Sequence, residues 1–391
     1  MRLDLPEKTG REPGGRWGWV LASAGAAAAV VAVAAESHDA QAAASQTWTA
    51  FVLVAGLLLI GLVAEEDGLF RTSGIQLARV VRGGAALFAG ATLLVVVVTA
   101  TLNLDTSVVF VTPVLIGAAR ARGGGERPLL YGSILLANAS SLFLPGSNLT
   151  NLIVLGRHPL SGGAFLALLW PAALAASVVT AAVVGVWARG DLTLQPRSSP
   201  NPSPNPRQAR PGLGLVAVVA AIVLVIALRS PALPVAAVGI AASGARAAQR
   251  RLAVRHAVAT LGLPVLVGLF GITVGLGTLG RQWSVPATLL SHGGAAGTAI
   301  AAAVLSVLCN NLPAASLLAA RMPPHAAQLL VGLNLGPNLF ASGSLAWFLW
   351  LRVARSSGAT PSVRQATRLG LVVVPLSIAA ALGALALAGS G

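Results

Sequence analysis

Asp105 is the only acidic residue inside an apolar segment of this sequence, and it shares a short polar interruption with Asn103 and Thr106, followed by Thr112. A carboxylate among apolar residues is costly unless it binds an ion or carries a proton, so those are the chemistries open to it. Three further clusters join it. Asn138, Ser140, Ser141, Ser147, Asn148, Thr150 and Asn151 surround Pro145-Gly146; Asn310 and Asn311 precede Pro313; Asn334, Asn338, Ser342 and Ser344 surround Gly336-Pro337 and Gly343. Amides and hydroxyls beside Pro and Gly suit helices unwound within a membrane, where freed backbone groups coordinate an ion or polar solute. One such side chain often does no more than bond two helices together. Four Asn-rich clusters at matched positions read instead as one site.

Other side chains offer less. Cys309, beside the Asn310-Asn311 pair, could touch a soft, thiophilic solute; a lone cysteine is otherwise a small buried hydrophobe. His292 and His325 flank the same region with no partner in view. One cysteine excludes an internal disulfide and a multi-cysteine metal site. With few His and no paired acids, a nucleophilic or metal-dependent enzyme is hard to build, and nothing calls for a cofactor. No G-x-x-x-x-G-K-[ST] loop occurs, so energy must come from an ion gradient, the solute's own gradient, or a partner such as an ATPase subunit. No Lys or Arg lies inside a span. A multivalent anion would therefore depend on amides, helix N-termini and a co-bound cation, whereas a neutral polyhydroxy solute needs only amides and hydroxyls.

The elements that must position these residues are membrane helices. Of 391 residues, 55% are hydrophobic and 9% charged, against about 25% charged in soluble domains. The mean hydropathy is +0.80, and apolar runs recur from Trp17 to Leu387, so the chain is an all-α polytopic protein of the lipid bilayer. Its net charge of +15 comes from basic residues in the breaks between spans, not from a patch with interleaved aromatics, which argues against nucleic acid. Residues 1–16 read as a cytoplasmic tail before a retained first span. Crossings are expected at 17–35, 47–64, 129–156, 165–188, 213–228, 257–276, 328–351 and 369–387, with a shorter candidate at 231–244. The regions 85–117 and 287–318 are apolar at both ends and polar in the middle, and are expected to be re-entrant hairpins, since lipid does not tolerate such tips unless they line a protein cavity. Residues 65–84 read as an interfacial amphipathic arm. Trp17, Trp19, Trp48, Trp347 and Trp350 sit near span ends, as interface anchors would.

Arginine placement orients these segments. With the N-terminus in the cytoplasm, 22 of the 26 basic residues fall inside and only Arg157, Arg229, Arg281 and Arg321 outside. Both ends of the first hairpin region are then cytoplasmic and both ends of the second external. A linker at 189–211 holds six prolines and divides the chain near its middle. Across that divide, Leu142-Phe143-x-x-Gly146-Ser147 is echoed by Leu339-Phe340-x-x-Gly343-Ser344. Opposite orientation and the echo together predict two inverted repeats, 17–188 and 212–391, each with a hairpin and a broken helix.

These motifs resemble the arsenite/antimonite permease family, ArsB, of the ion transporter superfamily. Residues 102–115, LNLDTSVVFVTPVL, resemble its first hairpin, and 137–154, ANASSLFLPGSNLTNLIV, its first broken helix. Residues 306–314, SVLCNNLPA, resemble its second hairpin, and 333–351, LNLGPNLFASGSLAWFLWL, its second broken helix. The acidic patch before Gly68-Leu69-Phe70 resembles the arm ahead of the first hairpin. The resemblance implies an elevator-type transporter, often a homodimer, with Asn103, Asp105, Asn148, Asn310, Asn311, Asn334 and Ser344 at or near the solute. It departs from the family in three places: Asn138, Asn334 and Asn338 stand where some relatives carry two acids and a lysine. One further N-terminal helix usual in relatives has no counterpart here. Two functions are expected from this: proton-coupled efflux of arsenite or antimonite across the cytoplasmic membrane, with Asp105 as the proton carrier, or sodium- or proton-coupled transport of another solute such as a dicarboxylate or inorganic ion.

Overall fold

The computed structural model describes residues 16–81, 83–123, 125–156, 159–193 and 212–389, and among these every regular element is helical. Most of the segment expected as a cytoplasmic tail, residues 194–211 of the Pro-rich linker, Arg82 and Arg157 lie outside the described residues. The first half runs α1 (Arg16–Ala35), α2 (Ser37–Glu66), α3 (Leu69–Val80), α4 (Gly84–Thr101), α5 (Leu104–Thr106), a π turn at Ser107–Val111, α6 (Thr112–Ala121), α7 (Arg127–Ser140), α8 (Leu149–Leu155), α9 (Gly162–Trp187) and the short α10 (Arg189–Leu192). The second half runs α11 (Leu213–Ala227), α12 (Ala232–Ala248), α13 (Val254–Leu261), α14 (Leu263–Gln282), α15 (Val285–His292), α16 (Gly294–Cys309), α17 (Asn311–Leu318), α18 (Ala326–Leu335), α19 (Leu345–Ser356) and α20 (Val363–Leu387). Among the described residues, seven helical stretches are long and apolar enough to cross a membrane.

Local sequence explains where these elements depart from expectation. Helix α2 begins ten residues before the expected span, because the Ala-rich stretch from Ser37 to Gln46 holds strong helix formers that continue the apolar run. The span expected at 257–276 falls within one apolar stretch, Val254–Gln282, made of α13 and α14 with a break at Gly262, whose φ of 56° caps α13 and after which Pro264 suits the first turn of α14. The region expected as one hairpin from 287 is divided too: α15 ends at His292, Gly294 turns with φ 57°, and only then does the first leg, α16, begin.

Element order recurs along the chain. A helix pair, a short helix, two legs meeting at a polar tip, a broken helix and a long helix appear as α1 to α9 and again as α12 and α14 to α20. The packing recurs as well, since α1 lies along α14 while α12 lies along α2, and α9 lies along α20. Helices α10, α11 and α13 fall outside that correspondence. Small residues permit the close crossings: a side chain at Gly25 would meet the Gly268 backbone, and one at Gly239 the Gly56 carbonyl. Both ends of the region expected as the first hairpin return to one place, because Gly84 abuts Leu192 and Gly125 abuts Asp191, and its two legs, Gly84–Thr101 and Leu104–Ala121, are each among the seven stretches long enough to cross.

Two readings of individual residues change. Trp347 and Trp350 are not interface anchors but lie buried, edge to face at 5.3 Å. Trp347 Nε1 donates to the Pro337 carbonyl at 2.7 Å and Trp350 Nε1 to the Leu130 carbonyl at 3.0 Å, so the first ties α19 to the break that precedes it and the second ties it to α7. Arg246, one of the basic residues between the spans, is buried as well. Its Nη2 lies 2.6 Å from one Asp67 carboxylate oxygen and 2.7 Å from the other, with both side chains about nine-tenths buried. The Gly214 amide adds a 2.7 Å bond to Asp67, joining α2, α11 and α12.

Candidate functional site

Four helix starts meet at one cavity. A residue singled out above stands before each: Asn103 before α5, Asn148 before α8, Asn310 before α17 and Ser344 before α19, and the three asparagines cap their helices through the side chain while Ser344 does not. Asn is a favoured N-cap because its side-chain oxygen accepts one of the amides left without an intrahelical partner. Asn103 accepts from the Thr106 amide at 2.6 Å, Asn148 from the Thr150 amide at 3.2 Å and Asn310 from the Leu312 amide at 3.3 Å. Asn310 also holds a φ of 78°, a left-handed conformation that non-glycine residues seldom adopt and that sharply reverses the chain at the second tip.

The cavity has a volume of about 260 Å³ and is lined by both tips and both helix breaks. Its polar wall is Asn103, Asp105, Ser147, Asn148, Asn310, Asn311 and Ser344. Leu21 of α1, Val54 of α2 and Leu269 and Ile272 of α14 supply an apolar wall. Asp105 is the one ionisable lining group, and among the described residues its carboxylate has neither an ion pair nor a hydrogen bond. Two buried polar atoms of the wall also lack partners, Asn103 Nδ2 and Ser344 Oγ. Buried donors without partners are rare unless something else binds them. Peptide dipoles make helix N-termini electropositive, so the wall offers donors to solute oxygens as well as one carboxylate.

Other expected site residues stand behind the wall rather than on it. Asn138 Nδ2 donates to Asn338 Oδ1 at 2.9 Å, and Asn338 Nδ2 donates to the Leu135 carbonyl at 3.0 Å. Asn334 Oδ1 accepts from Ser141 Oγ at 2.5 Å and from Asn148 Nδ2 at 2.8 Å, while its Nδ2 donates to Asn151 Oδ1 at 2.8 Å. All of these side chains are buried, so they brace the two broken helices against each other. Thr106 and Thr150 are buried with unpartnered hydroxyls. Ser342 reaches from the second break to the second hairpin, donating to the Val307 carbonyl at 3.1 Å, and Ser147 makes a longer 3.4 Å bond from the first break to Ala100 of the first hairpin. Cys309 is exposed, bonds to the Leu305 carbonyl at 3.2 Å and does not line the cavity. The apolar wall carried no sequence signal, because leucines and valines in α1, α2 and α14 look like any other lipid-span residues.

A family model described as citrate transporter, CitMHS, matches residues 16–349. The chain belongs to that family. It is therefore a multi-pass membrane transporter built entirely of helices among its described residues. The transporter is 26% identical over 372 residues to the arsenical pump membrane protein of Escherichia coli K12, covering 87% of this chain and 86% of that one. It is 27% identical over 364 residues to an uncharacterized transporter of Mycobacterium tuberculosis, covering 85% and 84%. The crystal structure of the YdaH transporter of Alcanivorax borkumensis, described as having an unusual topology, superposes with a TM-score of 0.50 at 17% identity, covering 86% of this chain and 84% of that one. That likeness extends the fold assignment across both halves.

Proposed function

We propose that the transporter exports arsenite or antimonite as the neutral trihydroxide across the cytoplasmic membrane, coupled to proton entry through Asp105. One observation carries this reading: among the described residues, the cavity where four helix starts converge is lined by a single ionisable group, an unpaired carboxylate, and by no Lys or Arg. Asn amides and the Ser344 hydroxyl offer hydrogen bonds of both polarities to a solute with several hydroxyls. A neutral solute needs no guanidinium or ammonium there, and a lone carboxylate that exchanges its proton with each face would couple solute exit to proton entry. The relatives named arsenical pump membrane proteins support this choice at 26% identity. The two halves are read as inverted repeats with an N-terminus in the cytoplasm, an orientation supported by the arginine distribution. Everted membrane vesicles containing the protein should accumulate arsenite when their interior is acidified, and no gradient-driven accumulation would remove the proposal.

A second reading is carriage of a carboxylate together with a cation. The family's description as citrate transporters and the electropositive helix starts favour it. The absence of any Arg or Lys from the cavity wall counts against it, since several carboxylates would then need a bound cation for neutralisation. Sodium-dependent citrate uptake by the same vesicles would select this reading over the first.

A further inference from the structure

Gln46 links α2 to two helices that start at the cavity, although it lies outside the cavity wall itself. Its Nε2 donates to the Ile153 carbonyl at 3.0 Å and to the Ala319 carbonyl at 3.2 Å. Its Oε1 accepts from Arg281 Nη2 at 2.6 Å. A guanidinium only donates, so Arg281 decides which end of the amide faces it and turns the NH2 toward the two carbonyls. Gln46 is 6% exposed, which makes loss of those bonds costly.

The carbonyls belong to matched places. Ile153 is in the last turn of α8 and Ala319 caps the C-terminus of α17, while the N-caps of those helices, Asn148 and Asn310, are at the cavity. A single amide thus holds the far ends of one half-helix from each half of the chain. Helix C-termini carry partial negative charge, which the adjacent Arg281 complements. Backbone fit reinforces the joint, since Gly156 packs directly against the Gln46 carbonyl and any side chain there would collide.

We propose that Gln46, oriented by Arg281, is a conformational latch between the helices α2 and α14 and the solute-binding half-helices, and that it opens during each transport cycle. A solute can enter from one face and leave by the other only if the apolar wall from α1, α2 and α14 moves relative to the tips and breaks. The Gln46 bonds cross that boundary and must break or be exchanged when it shifts. Gln46 is a positioning residue, since it acts on Asn148 and Asn310 through α8 and α17. This inference rests on the protein being a transporter and not on which solute it carries.

The only thiol in the chain, Cys309, supplies the test, because it is exposed beside the second tip. Gln46→Glu retains side-chain size and the bond to Arg281 but removes both donated bonds; Gln46→Met removes all three. Cys309 is labelled with a membrane-impermeant maleimide, without solute, in vesicles of each orientation. Both variants are expected to change the ratio of labelling from the two faces by about tenfold or more relative to the native protein, because loss of buried hydrogen bonds shifts a two-state balance by that order. Native labelling ratios in a variant that retains its native melting temperature would overturn the latch. If Gln46→Met does not fold, Gln46→Glu decides the matter alone. Failure of arsenite transport with a shifted labelling ratio would count against the proposed solute and leave the latch standing.

Discussion

Asn148 Nδ2 donates to Asn334 Oδ1 at 2.8 Å, so the N-cap of a helix at the cavity is held by an amide from the opposite half of the chain. Asn148 thereby has both of its roles fixed: its oxygen caps α8 and its nitrogen anchors to α18. The Asn334 amide is fixed equally, accepting from Ser141 and Asn148 and donating to Asn151 and the Leu330 carbonyl. A fully bonded buried network of this kind sets one geometry for the cavity wall.

Replacing Asn334 with Leu would leave Asn148 Nδ2 and Asn151 Oδ1 buried without their partner. Each stranded group costs about 1–3 kcal/mol. The melting temperature in detergent should therefore fall by several degrees, and solute affinity should fall as well because Asn148 loses its anchor. A variant with native melting temperature and native affinity would show that the network is dispensable.

Asp105→Asn keeps the shape of the cavity wall while removing its one charge. Proton-driven arsenite accumulation in everted vesicles should be lost, yet solute-induced thermal stabilisation should persist within about threefold in apparent affinity, since mass-action stabilisation requires binding and not turnover. Undiminished gradient-driven transport by this variant would reject Asp105 as the coupling group.

Removing Arg246 alone should be far worse than removing its whole ion pair. Arg246→Met leaves the Asp67 carboxylate buried beside the Gly214 amide without its cation, a loss of about 3–5 kcal/mol. Asp67→Leu combined with Arg246→Met should recover most of that loss, because two apolar side chains need no mutual neutralisation. Thermal or chemical unfolding of the three proteins measures this; equal destabilisation by the single and double variants would contradict the account.

Gly25→Leu should prevent α1 from lying against α14, since even a Cβ at Gly25 meets the Gly268 backbone. Backbone cannot yield as a flexible side chain can, so the expected result is loss of properly assembled protein in the membrane fraction. Gly244→Ala, where a Cβ meets nothing within 4 Å, serves as the control and should express normally. Normal yield and melting temperature for Gly25→Leu would show that the two helices are not held at this spacing.

The sequence alone determined that this is a polytopic helical membrane protein, and it located four polar interruptions around Asn103, Asn148, Asn310 and Ser344. Those features are legible because they are local: apolar length, Pro and Gly beside amides, and one acid in an apolar run all act through nearby backbone. Tertiary structure alone decided that the four interruptions are helix starts facing one cavity, that Asn138, Asn151, Asn334 and Asn338 brace the site from behind, and that Trp347, Trp350 and Arg246 are buried. It also decided that Gln46, an ordinary polar residue near the start of a long helix, reaches Ile153, Ala319 and Arg281. Those partners lie more than a hundred positions away in the chain, and which face of a helix meets them is set by close crossings such as Gly25 on Gly268, not by the helix's own sequence period.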